Sequence, residues 1–262
     1  MRLSISNIGW GPESDTAIYD TMKQLGYSGL EIAPTRIFPA APYDHKKEAS
    51  IWADQMQRDH GFSISSMQSI WYGRKEKLFG SDQERDILSA YTMQAVDFAE
   101  AIRCGNLVFG SPSNRKLAEN DDPNQAIPFF RKIGDYAKEK GTVIAVEANP
   151  PIYNTNYIND TASALDLIDA VGSDGFRLNL DIGTMIANEE TIDVVRNRIH
   201  LINHVHVSEP YLQCIQKRSL HRELASMLKD SGYTGYVSIE VSRQDAVQPL
   251  IAMMTYTKEI FG

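Results

Sequence analysis

Four short stretches of this chain end alike: IAVEAN, LNLDIG, HVHVSE and VSIEVS. In each, an ionisable residue follows an aliphatic one near the end of the run: Glu147, Asp181, His206 and Glu240. Alternate side chains of an extended strand share a face. The ionisable set therefore lies opposite Val146, Leu180, Val205 and Ile239, which suit packing under helices. The four are separated by 34, 25 and 34 positions, each about one strand–helix unit, so they fall at equivalent heights on neighbouring strands. Three carboxylates and an imidazole converging there cannot stay unpaired, because burying several charges together is expensive. A divalent cation resolves the conflict. Three oxygen donors, one nitrogen and no thiolate favour Mn²⁺ or Mg²⁺, with Co²⁺ and Zn²⁺ also compatible. His204 shares the face of His206 one layer deeper, and reads as an interior residue rather than a ligand. Pro210 cannot donate to a sheet ladder and ends the strand.

The elements that must carry these residues are legible from periodicity. Short apolar, β-branched runs predict strands at 2–8, 29–33, 63–69, 106–110, 142–148, 176–182, 201–207 and 236–241. Amphipathic segments lie between them. SDTAIYDTMKQLGYSG opens on a Ser cap and closes near Gly, as helices often do. SDQERDILSAYTMQAVDFAEAIRCG repeats the design, with Ile87, Tyr91, Ala95 and Phe98 at helical spacing on one face. HKKEASIWADQMQRDHG fills the slot after the second strand, and the slot after the sixth should hold a short helix near 190–198. Eight strands alternating with about eight helices imply parallel strands and right-handed crossovers. At 262 residues that is an α/β chain folded as a single (β/α)8 TIM barrel, one catalytic domain over 1–262. No Gly-rich phosphate loop follows the first strand, as an open dinucleotide-binding sheet would require. The barrel's C-terminal face is where its chemistry is expected.

Composition narrows the partners. A net charge of -8 argues against nucleic acid and anionic membranes. Two cysteines far apart, Cys104 and Cys214, argue against a disulfide framework and fit a reducing, cytoplasmic setting. The first ten residues lack a signal-peptide core, and no run is long enough to cross a bilayer. A homo-oligomer is compatible with all of this. Glu31 in GLEIA and Gln68 in SMQS face inward by alternation, to line a pocket or to satisfy hydrogen bonds within the barrel.

GYSGLEI, VEANP, LDIGT, HVHVSEP and GYTGYVSIEV together resemble the strand motifs of the xylose isomerase-like TIM barrels. Within them they are similar to the sugar phosphate isomerase/epimerase group, which includes ketose 3-epimerases and hydroxypyruvate isomerases. The resemblance implies that Glu147, Asp181, His206 and Glu240 bind the metal, and that Glu147 and Glu240 are also the catalytic acid/base pair. It implies a metal-dependent isomerase or epimerase acting on a sugar or sugar phosphate through an enediolate. The chain departs from the epimerase pattern at three places. Thr184 stands where a substrate-binding His is expected, Tyr153 where a second Glu is expected, and Leu212 where an Arg is expected. The substrate contacts must then be its own: Arg115, Asn149, Tyr153, Glu209, His221 and Gln68 are the candidates. A dehydratase of the inosose or dehydroshikimate type, and a non-catalytic sugar-binding barrel, are the alternatives. A multi-metal DNA endonuclease of the same fold would need more His ligands than this chain offers.

Overall fold

The computed structural model describes residues 1–262. Its strands are β1 Arg2–Ser6, β2 Gly29–Ile32, β3 Ser63–Met67, β4 Leu107–Phe109, β5 Ile144–Val146, β6 Phe176–Asp181, β7 Ile202–Val207 and β8 Tyr236–Ile239. They pair in chain order, all parallel, and β8 returns to β1, closing an eight-stranded barrel. Every strand lies inside the stretch that alternation predicts. The helices are α1 Asp15–Leu25, α2 Pro34–Ile37, α3 Lys46–Gln55, α4 Asp82–Ala101, α5 Ala126–Glu139, α6 Thr161–Val171, α7 Ile182–Ala187, α8 Ser219–Asp230 and α9 Val247–Phe261. No helix is long and apolar enough to cross a membrane.

Two expectations about helices change. The helix after β6 is not at 190–198, where only short 3₁₀ turns occur, but at Ile182–Ala187, directly on the strand end. Asp181 is the reason: its carboxylate accepts the Thr184 backbone N–H and caps the helix, satisfying one of the donors that every helix start leaves free. On α4, which opens on a capping box between Ser81 and Glu84, Ile87 faces solvent. The inner stripe there runs through Leu88, Ala95 and Ala99 instead.

The outward faces of the strands make the main core. Val146, Leu180, Val205 and Ile239 are fully buried among 63 packed apolar residues. Each such side chain contributes about 1.5–3 kcal/mol by leaving water. The inward face is different. A TIM barrel interior is usually filled with large branched aliphatics, but here polar side chains bond across it. The Ser4 and Ser65 hydroxyls lie 2.6 Å apart, Asn106 Nδ2 donates to Ser66 Oγ at 2.9 Å, and Gln68 Nε2 donates to Ser6 Oγ. Buried polar groups persist only when they find such partners.

Candidate metal centre and active site

The register of the last three strands sets the site. Asp181 pairs with His206 across β6 and β7, and His206 with Ser238 across β7 and β8. The next residues along β5 and β8 are Glu147 and Glu240. Their backbone N–H groups extend the ladders, to Phe109 O and Val207 O, each at 3.0 Å. Glu147, Asp181, His206 and Glu240 thereby offer four ligand atoms within 4.8 Å of one another. His206 presents Nδ1 to this cluster, 2.9 Å from Glu147 Oε2 and 3.3 Å from Glu240 Oε2. Three oxygens and one imidazole nitrogen, with no Lys or Arg among them, fit a divalent cation of the harder type.

Neighbouring polar groups aim the carboxylates. Asn179 Nδ2 donates to Glu147 Oε2 at 2.7 Å, and Asn149 Nδ2 to Glu147 Oε1 at 3.1 Å. The Thr184 N–H reaches Asp181 Oδ1 at 2.6 Å, and the Ser208 hydroxyl donates to Asp181 Oδ2. Burial raises Glu240 to about 7, with the charges of Glu147 and Asp181 adding to the effect. Burial, then the nearby Glu147 charge, raises Asp181 to about 6. Burial alone would lower the His206 ring, but the charges of Glu31 and Glu240 and the bond to Glu147 outweigh it and hold the ring well above its ordinary range. In the absence of a cation the cluster thus keeps protons that it could exchange for one.

Above the cluster opens a cavity of about 190 Å³. Gln68, Asn149 and Tyr153 line it with the three carboxylates, together with Ser69, Ser111, Ser208 and Leu212. Ser69, Ser111 and Leu212, on three different loops, hold φ at 55°, 45° and 52°. Such left-handed backbone is unfavourable for residues with a Cβ and gathers at functional sites. The Tyr153 hydroxyl accepts the Tyr211 N–H at 2.8 Å, so its own hydrogen is free to donate. A larger cavity, about 850 Å³, opens at the other mouth of the barrel, but no carboxylate lines it.

The remaining candidates serve the frame. Arg115 is fully buried and does not line the cavity; it donates to the carbonyls of Glu147 at 2.8 Å and Ile158 at 3.3 Å. Glu209 grips Arg218 through both carboxylate oxygens, at 2.8 and 2.6 Å. His221 is buried on α8, 3.0 Å from the Tyr256 hydroxyl, and burial lowers it to about 4. Thr184 donates its hydroxyl to Ala148 O at 2.7 Å. Asn179 and Ser208 are the site residues that sequence reasoning missed. Asn179 was within reach of it, because it precedes Asp181 by two positions and shares its inward face.

A closed parallel barrel with a carboxylate–imidazole cluster at its C-terminal mouth defines the class, a TIM barrel. A family profile matches residues 19–258, and by it the chain belongs to the xylose isomerase-like TIM barrel family. Among solved structures the chain is similar to a D-psicose 3-epimerase from Clostridium cellulolyticum H10, crystallised with D-tagatose. That likeness has 14% identity and a TM-score of 0.78, over 100% of this chain and 99% of the other. A 3-keto-D-glucoside 4-epimerase from E. coli aligns at 17% identity and TM-score 0.77, covering 99% of both chains. A probable 3-DHS dehydratase from Bacillus anthracis aligns at 16% and 0.69, covering 97% of both. A comparison with curated proteins returned no match.

Proposed function

We propose that this protein is a divalent-metal-dependent isomerase or epimerase of a small sugar, working by proton transfer next to a carbonyl. The observation that carries the reading is the pair Glu147 and Glu240, flanking Asp181 and His206 around one point beneath a polar cavity. The epimerase folds it resembles add support. A bound cation would supply charge stabilisation for the oxygens of an enediolate. Glu147, Asp181, His206 and Glu240 would hold that cation. Of the two glutamates, one removes the proton beside the carbonyl and the same or the other returns it. Glu240 presents its carboxylate at the cavity, where it can take a proton from a substrate carbon and return it. Asn149 and Asn179 fix the Glu147 carboxylate through one oxygen each, and rigid strand ends keep both acids in register. Gln68 and Tyr153 offer hydrogen bonds to sugar hydroxyls. No Lys or Arg lines the cavity, which favours a free sugar over its phosphate.

The test is a panel of ketoses, aldoses and inososes incubated with Mn²⁺ in D₂O. Metal-dependent carbon–deuterium bonds in product or recovered sugar are expected. An absence of both conversion and deuterium uptake in every compound would leave a binding barrel. A dehydratase would begin with the same proton transfer, but its product would be lighter by one water.

A second expectation follows from the protons kept by the cluster. Below about pH 7 Glu240 holds a proton, and below about pH 6 so does Asp181. A cation must displace both, and also the proton that keeps the His206 ring charged, so Mn²⁺ affinity should fall as pH drops from about 8 to about 5. Calorimetry in buffers of different ionisation enthalpy counts the protons released. An affinity that stays flat over this range would remove the two carboxyls from the ligand set.

A further inference from the structure

Glu31 is a fully buried carboxylate that stands outside the four-residue ligand cluster. It sits on β2, across the barrel from β7. Its Oε2 lies 3.0 Å from His206 Nε2, the ring nitrogen facing away from the ligand cluster. The other ring nitrogen, Nδ1, lies 3.2 Å from the Asn179 amide nitrogen, a donor. One nitrogen of His206 therefore meets an acceptor that can only receive a hydrogen, while the other meets the Asn179 donor and also Glu147 Oε2, 2.9 Å away. In the neutral ring the hydrogen that serves Glu31 sits on Nε2, and Nδ1 is left with the lone pair that a cation can take.

We propose that Glu31 is a positioning residue, which holds hydrogen on His206 Nε2 and so makes Nδ1 the nitrogen offered to a cation among Glu147, Asp181 and Glu240. The inference rests on the metal reading proposed above. A ligating histidine commonly gives its second N–H to a carboxylate, which fixes tautomer and ring angle and makes the ligating nitrogen more basic. Glu31 spans the interior to do this because its register neighbours on β1 and β3 are small: Ser6 and Ser66 leave space that large aliphatics would fill. His204 comes within 2.9 Å of the same Oε2, but its approach lacks the alignment of a hydrogen bond. The His206 bond is therefore the one that decides the ring.

Two variants test this. Glu31→Gln keeps size and an oxygen acceptor but removes the charge; Glu31→Ala removes the acceptor. Mn²⁺ dissociation constants from calorimetry should rise about 10-fold in the first and about 100-fold in the second, with circular dichroism unchanged for Gln. In parallel, ¹⁵N spectra of the metal-free protein should show a slowly exchanging His206 Nε2–H in wild type and in Gln, and its loss in Ala. Wild-type affinity together with an unchanged His206 spectrum in both variants would overturn the proposal. Should wild type itself bind no Mn²⁺, the metal reading falls, and the ring spectra alone still decide whether Glu31 orients His206: loss of the Nε2–H signal in Ala supports it, and retention refutes it.

Discussion

Glu240→Gln is expected to abolish turnover at saturating Mn²⁺ while the protein still binds the ion. The change keeps the side chain's size and one oxygen donor, so metal affinity falls only modestly. It removes the basic carboxylate, and with it general acid–base help of about 10²–10⁴-fold. A carboxylate at the cavity can take and return a proton; an amide cannot. The informative measurement is rate against metal concentration. If excess Mn²⁺ restores full turnover, Glu240 is a ligand and nothing more. Thr184→His is the companion variant, because it installs the residue that ketose epimerases carry there. Thr184 is 1% exposed and bonded to Ala148 O, so the larger ring must push α7 away from Asp181 and lower activity below that of the wild type.

Gly175→Ala carries the largest expected loss of stability. Gly175 precedes β6, and a Cβ placed on it would stand 2.0 Å from Gly134 O and 2.8 Å from Lys138 N, both backbone atoms of α5. No rotamer change relieves a clash with backbone, so helix and strand must separate. The loss should be roughly 3 kcal/mol, or about 6–12 °C in Tm for a chain of this size. Gly105→Ala is the control, since a Cβ there meets nothing within 4 Å. Equal melting temperatures for the two variants would show that α5 does not pack on β6 this closely. Because β6 carries Asp181, metal affinity should weaken along with stability in Gly175→Ala.

Strands such as β1, β6 and β7 were legible because they alternate aliphatic and polar residues, which a half-polar interior keeps visible, whereas β4 and β5 read as short uninterrupted apolar runs. Glu147, Asp181, His206 and Glu240 were legible as a set for the same reason: spacing and strand period place them on one face at one height. The helix after β6 was not, because Asp181 has two roles. A carboxylate at a strand end reads as a site residue, and nothing in LDIGT announces that the next residue already begins a helix. Arg115, Glu209 and His221 were opaque for a different reason. A charged loop residue looks the same whether it meets a ligand, a carbonyl or another side chain, and only the fold showed Arg115 turned onto the carbonyls of Glu147 and Ile158. Glu31 was visible as an inward acid on β2, but its partner lies 175 residues away, beyond any local pattern.

The cluster stands on strand ends, whereas Ser69, Ser111, Tyr153 and Leu212 stand on loops. Loops tolerate exchange far better than barrel staves. An engineer who wished to change what this barrel accepts would therefore randomise those four positions and leave the staves untouched. Ser69, Ser111 and Leu212 already hold a backbone that glycine or asparagine adopts more easily. A library weighted toward those two residues should relax the loops and keep the protein folded, so that variants differ in appetite more than in durability.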